Sequence, residues 1–169
     1  MDQTTVASGS WDCTIHLWDN QIGECCYIIK QQDHISHVRV YPTDPQHLAS
    51  VSGDKIWKWD INGHQIGPVY DGSDVTFSLG GTQFVSCNQA VVTVQKSDSG
   101  AVVAEFHVAN RDFSDYCFSP DDRLIAAAAS HTVYIWNITG SDPHPIETFV
   151  GHTDDVTSLV FTSSLISAS

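Results

Sequence analysis

The chain has 169 residues, 41% of them hydrophobic and 16% charged, a balance that fits a folded domain and excludes a disordered one. Twenty acidic residues against seven Lys and Arg leave a net charge of -13, which disfavours nucleic acid and anionic membrane, both bound through basic side chains. No apolar run reaches the ~18–20 residues of a membrane helix, and the opening MDQTTVASGS lacks the basic head and apolar core of an export signal.

In chain order, VASGS at 6–10 leads into the alternating run CTIHLWD at 13–19, and Gly23 then opens CCYII. HVRVYP at 37–42, LASVS at 48–52 and KIWKWD at 55–60 follow, with Gly63 before QIGPVY. The same order returns as VTFSLGG at 75–81, QFVSC at 83–87 and AVVTVQK at 90–96, with Gly100 before AVVAEF. It returns again as YCFSPDD at 116–122, LIAAAA at 124–129 and HTVYIWN at 131–137, with Gly140 before PIETFV. DDVTSLVF at 154–161 and LISAS at 165–169 begin a further copy.

The slots at Trp18, Trp59, Gln95 and Trp136 recur roughly every 40 residues, the period of a four-stranded propeller blade. Each copy reads strand, turn, strand, turn, strand, turn, strand, a meander. No segment holds apolar residues at helical i, i+3, i+4, i+7 spacing, and β-branched and aromatic residues dominate. The alanines at 126–129 are good helix formers, but they stand where the other copies carry a small-residue strand, so they too are read as strand. The chain is all-β.

These residues resemble the WD40 repeat family, over nearly the whole chain. VASGSWDCTIHLWD (6–19) and FVGHTDDVTSLVF (149–161) carry the family's Trp-Asp and Gly-His signatures, and FSPDD (118–122) its turn after strand a. The copies are diverged, loosely similar to the WD40 arrays of filamentous-fungal signalling and incompatibility proteins. The resemblance implies one β-propeller region over 1–169, with blades of strands a to d. Its units are a partial one at 1–30, whole ones at 31–70, 71–108 and 109–150, and a partial one at 151–169.

The family also implies a buried tetrad in each blade: His before strand a, Ser or Thr on strand b, Asp in the b–c turn and Trp on strand c. Such a network fixes one geometry when every member is satisfied. It assigns Ser10 (or Ser8), Asp12 and Trp18 to the first unit. The second takes Ser52, Asp54 and Trp59, with Gln31 in the His place. The third offers Cys87, Gln89 and Gln95, and the fourth Ala128, Ser130 and Trp136 with Ala109 for His. His152 fits the role in the last unit. No set is complete.

The strands make about four blade equivalents, fewer than the family usually closes into a ring, so the expected propeller is incomplete and open. The chain is then a fragment of a larger propeller, a protein that assembles with a second copy or another WD40 chain, or a strained four-bladed ring. The first is the expectation. Exposed edge strands would invite self-association.

Trp11 sits beside Asp12 in the b–c turn, a position the family tends to present to partners, and an exposed Trp is an interface anchor. A Trp packed on the neighbouring blade is an equal alternative. His34, Asp112 and Asp155 stand just before strand a, another contact position, where a solvated turn residue is the plainer account.

His34 and His37 form H-x-x-H near Cys25 and Cys26, but residues three apart on a strand point to opposite faces, so they chelate poorly and no metal is expected. Cys13, Cys87 and Cys117 lie in apolar strands and read as small core residues. There is no G-x-S-x-G elbow and no phosphate-binding glycine loop. Five cysteines without a spaced framework indicate free thiols inside the cell; the expected location is the cytoplasm, with the nucleus as the alternative. The expectation is a non-enzymatic protein-interaction scaffold without cofactor, its partners other proteins or the missing blades. The alternatives are a ligand-sensing or enzymatic propeller with a central-channel site, or a truncated product with no independent function. Small or apolar residues in the channel slots (Val85, Ala126, Ala128) argue against the first of these.

Overall fold

The computed structural model describes residues 5–88, 90–108, 113–140 and 142–162. These residues form strands and turns, with no helix among them. In chain order the strands are β1 (Thr5–Gly9), β2 (Thr14–Asp19), β3 (Cys25–Lys30), β4 (Ile35–Val40), β5 (His47–Ser52), β6 (Lys55–Asp60), β7 (Tyr70–Asp71) and β8 (Asp74–Phe77). Then come β9 (Gln83–Asn88), β10 (Val91–Lys96), β11 (Val102–His107), β12 (Asp115–Phe118), β13 (Leu124–Ala129), β14 (Thr132–Asn137) and β15 (Glu147–Val150). They make four antiparallel meanders: β1-β2-β3, β4-β5-β6-β7, β8-β9-β10-β11 and β12-β13-β14-β15. The chain divides into two compact units, Met1–Val75 with Ser86–Asn88, and Thr76–Val85 with Gln89–Ser169.

The alanine run is a strand, as its place in the repeat requires: β13 pairs with β12 and β14, and Ala127 to Ala129 are fully buried. The β1–β2 and β13–β14 connections are short hairpin turns. Cys13 and Ser130 take φ of 68° and 53° there, the left-handed conformation that such turns need. QIGPVY yields only the short β7 plus a bridge between Trp59 and Gln65, because Pro68 has no N–H to give a ladder.

In the first unit, Ile15, Leu17 and Ile29 of the first sheet pack against Ile35, Leu48 and Trp59 of the second. Gly9 makes this approach possible: a Cβ there would lie 2.4 Å from Ile35 Cγ2. In the second unit, Phe106 of the third sheet stacks on Trp136 of the fourth at 5.3 Å. Asp122, at φ 57°, accepts from the backbone N–H groups of Leu79 and Gly80.

DDVTSLVF is expected as a strand, yet residues 151–162 carry no ladder. No strand among the described residues lies beside this segment to pair with it. It is nevertheless seated as a strand a would be. Val156 N–H donates to Ser130 O at 2.8 Å, as Ile35 N–H donates to Ser10 O at 3.0 Å. Val156 is buried, its carbonyl accepts from the Ser114 hydroxyl, and Leu159 N–H donates to the Asp115 carboxylate. LISAS lies outside the described residues.

Candidate interaction surface

The tryptophan slots show how much of the expected tetrads forms. Trp18 Nε1 donates to Ser8 Oγ at 2.8 Å, and Trp59 Nε1 donates to Ser50 Oγ at 2.9 Å. Of the two serines read for the first unit, Ser8 and not Ser10 meets the indole, and in the second Ser50 does so in place of the expected Ser52; strand register is the reason. Trp18 stands opposite Val6 and Trp59 opposite Leu48. The same-face diagonal neighbour two residues on is Ser8 or Ser50, within reach of an indole. Ser10 and Ser52 lie a further two residues away and do other work. Ser10 Oγ accepts from Asp12 N–H at 3.2 Å, and Ser52 Oγ donates to Asp33 O at 2.8 Å, tying down the loop before β4.

In the second sheet the chain continues: Ser50 Oγ donates to Gln31 Oε1 at 3.4 Å, so Gln31 occupies the place read for His. The Asp members are not buried. Asp12 is exposed, and its carboxylate accepts from Thr14 Oγ1 at 2.6 Å and Thr14 N–H at 3.0 Å. That hydroxyl bond above all holds the Asp12 carboxyl below its ordinary value. Asp54 is exposed too, and contributes a backbone carbonyl to Gly72 N–H. In the fourth sheet Ile125 faces Trp136, so the diagonal position is Ala127, and the buried Trp136 Nε1 has no acceptor among the described residues. Trp136 is held instead by rings, with Tyr134 stacked at 5.7 Å and Phe113 edge-on at 6.3 Å. His152 is exposed.

Two of the expected partner-binding residues come together. Trp11, in the β1–β2 turn, is 83% exposed, and its ring lies 5.9 Å from that of His34 in the β3–β4 loop. Asp33 Oδ1 takes both the His34 backbone N–H and ring Nδ1 at 2.8 Å, which orients the imidazole. The His34 backbone N–H is the main reason that the Asp33 carboxyl sits below its usual range. The second unit repeats the juxtaposition: His131 in the β13–β14 turn has Nδ1 3.7 Å from Asp155 Oδ1, just before the seated segment. Asp33 and His131 escaped the sequence reading. The loop-before-strand position was visible, but the side chain that holds it was not. Asp112 lies outside the described residues.

Among the described residues no group of three or more His, Cys, Asp or Glu is arranged to hold a metal ion. His37 Nδ1 comes within 3.5 Å of Asp74 Oδ1, an aligned pair rather than a cluster. Cys25 Sγ lies 3.6 Å from His16 Nδ1 and not beside His34. The described cysteines are all free thiols, and burial pushes that of Cys117 up. No described helix is long and apolar enough to cross a membrane.

The comparisons with known proteins agree with this architecture. The WD domain, G-beta repeat profile matches residues 1–19 and 100–137. WD repeat-containing protein 37 of Homo sapiens is 22% identical over 93% of this chain and 42% of its own length. The ribosome biogenesis protein WDR12 homolog of Nematostella vectensis is 27% identical over 97% of this chain and 32% of its own. The target of rapamycin complex subunit wat1 of Schizosaccharomyces pombe is 35% identical over 37% of this chain and 20% of its own. The chain thus spans less than half the length of each of these relatives. A phased repeat, four meander sheets, two indole–serine pairs and the profile match over residues 1–19 and 100–137 point one way: the chain is similar to WD40 repeat proteins and is built of sheets like their propeller blades.

Proposed function

We propose that this chain is a non-enzymatic protein-interaction module that works inside the cell, and that it presents Trp11 and His34 to a protein partner. One observation carries this reading. A Trp that is 83% exposed stands beside an imidazole pinned by Asp33, on a turn and a loop tied together by the bond from Ile35 N–H to Ser10 O. An exposed large ring costs solubility without returning stability to the single chain, and aromatic anchors of this type dominate interface energies. The net charge of -13 favours a partner with a basic surface around an apolar pocket. His131 and Asp155 extend the same type of contact in the second unit.

Relatives named as a subunit of a target of rapamycin complex and as a ribosome biogenesis protein support an assembly role of this general type. The chain's span of those relatives also supports the fragment reading, in which further blades belong to the same protein. The partners then include such blades, or a second copy acting in their place.

The test is affinity capture on immobilised chain, with bound proteins quantified by mass spectrometry. Trp11→Ala is expected to lower recovery of specific partners at least ~10-fold, the size of an anchor residue, and His34→Ala by less. Equal recovery by the wild-type and Trp11→Ala chains removes this surface from the reading.

A further inference from the structure

Two apolar surfaces of this chain are left open, and they match each other. The first is on the fourth sheet. Val133 pairs with Phe149 and Ile135 with Ala126, as Ile15 pairs with Ile29 and Leu17 with Ala7 in the first sheet. In the first sheet Ile15, Leu17 and Ile29 are 0%, 1% and 5% exposed, because the second sheet covers them. In the fourth sheet Phe149 is 54% exposed, and these side chains line an open hollow of about 340 Å³ with Leu159, Val160 and Phe161. A seated strand-a segment is there, but no sheet among the described residues follows it.

The second surface is β1. Val6 faces Trp18 as Leu48 faces Trp59 and Ile125 faces Trp136, yet the three are 51%, 2% and 0% exposed. β5 and β13 each have a strand on both sides, whereas β1 is an edge of its sheet. An unpaired strand edge is a template for another strand. Among the described residues, β1 lacks a strand a and residues 156–161 lack a strand b. In a chain of net charge -13, both TVASG (5–9) and VTSLVF (156–161) are uncharged.

We propose that a second copy of this chain fills both vacancies at once. Residues 156–161 of one copy pair with β1 of the other, as β4 pairs with β5. β1 and β2 of that other copy cover the Val133, Ile135 and Phe149 face, as β5 and β6 cover Ile15, Leu17 and Ile29. The register follows from the shared anchor. Val38 pairs with Ser50 and Val40 with Leu48, and Val156 takes the hydrogen bond of Ile35, so Leu159 comes opposite Ser8 and Phe161 opposite Val6. The interface is the one that the chain already builds between its own first and second sheets. It is heterologous, each copy offering a different half. It rests on the second-copy part of the proposed function and is independent of the Trp11 surface.

Sedimentation velocity of the purified chain over a wide concentration range tests this. The wild-type chain is expected to exceed the monomer mass and to dissociate on dilution. Val6→Asp and Phe149→Asp are each expected to weaken association at least 10-fold, while Ile22→Asp, at another exposed apolar residue, leaves it unchanged. Val6→Thr, which keeps strand propensity, gives a smaller weakening with an unchanged β-sheet spectrum, separating interface loss from misfolding. An equimolar mixture of Val6→Asp and Phe149→Asp chains forms a 1:1 pair, because one supplies an intact fourth-sheet face and the other an intact β1. A wild-type chain that stays monomeric overturns the proposal, as does continued association of the Phe149→Asp chain. Failure of the two variants to pair overturns it as well, and indicates completion within one chain. Trp11→Ala leaves the mass unchanged, so the two surfaces fail or stand separately.

Discussion

The first and second sheets build the same indole–serine bond at nearly the same length, 2.8 and 2.9 Å, in very different surroundings. Trp59 is 7% exposed and Ser50 fully buried, and Ser50 passes the network on to Gln31. Trp18 is only half-buried and Ser8 is exposed. The difference traces to one strand. β4 lies along β5 and closes the second sheet over its polar pair, whereas β1 is an edge. A local motif therefore sets the bond, and the neighbouring strand sets what the bond is worth. In water an indole–hydroxyl bond replaces solvent contacts at little net gain, while in the interior its loss strands a polar group.

The comparison breaks hardest at the rings. Trp59→Ala is expected to cost ~3–5 kcal/mol through the cavity it leaves, and Trp18→Ala about 1 kcal/mol, in urea unfolding monitored by circular dichroism. Equal losses would show that the first sheet's ring is as well packed as the second's. A finer cut is at the hydroxyls. Ser50→Ala leaves the buried Trp59 Nε1 without its acceptor and is expected to cost ~1–3 kcal/mol. Ser8→Ala, next to solvent, is expected to stay within about 0.5 kcal/mol. A costly Ser8→Ala would sink the claim that burial, not bonding, separates the sheets.

The smallest effect runs the other way. Trp136 is buried like Trp59 but has Ala127 as its diagonal neighbour, so its Nε1 has no partner among the described residues. Ala127→Ser restores the hydroxyl that Ser8 and Ser50 supply, and a gain of about 1 kcal/mol in the unfolding midpoint analysis is expected. A loss would mean that the alanine strand is packed too tightly for one more oxygen atom.

Much of the architecture is legible in the sequence because a repeat is read several times over. KIWKWD and LIAAAA become β6 and β13 residue for residue, and β-branched and aromatic alternation marks the rest. Gln31 can be placed in the His position by phase alone. Other features escape a linear reading. Whether Ser8 or Ser10 meets Trp18 depends on which residues stand opposite, and a diagonal contact is a property of two strands. DDVTSLVF has every local mark of a strand and lacks only a neighbour. The meeting of Trp11 with His34 joins a turn and a loop from different sheets of the repeat.

What the amino-acid sequence determined by itself was periodic: the strand order, the turn positions, the tryptophan slots and the likeness to WD40 repeats. These arise from the alternation of side chains and from glycine and proline punctuation, which act within a few residues. What the tertiary structure decided was pairing and burial: Ser8 and Ser50 as the indole acceptors, Ala127 as a missing one, the exposed Asp12 and Asp54, and the open β1 and Phe149 surfaces. Each of these depends on which strand lies alongside, because only a neighbour in space removes water from a polar bond or covers an apolar face.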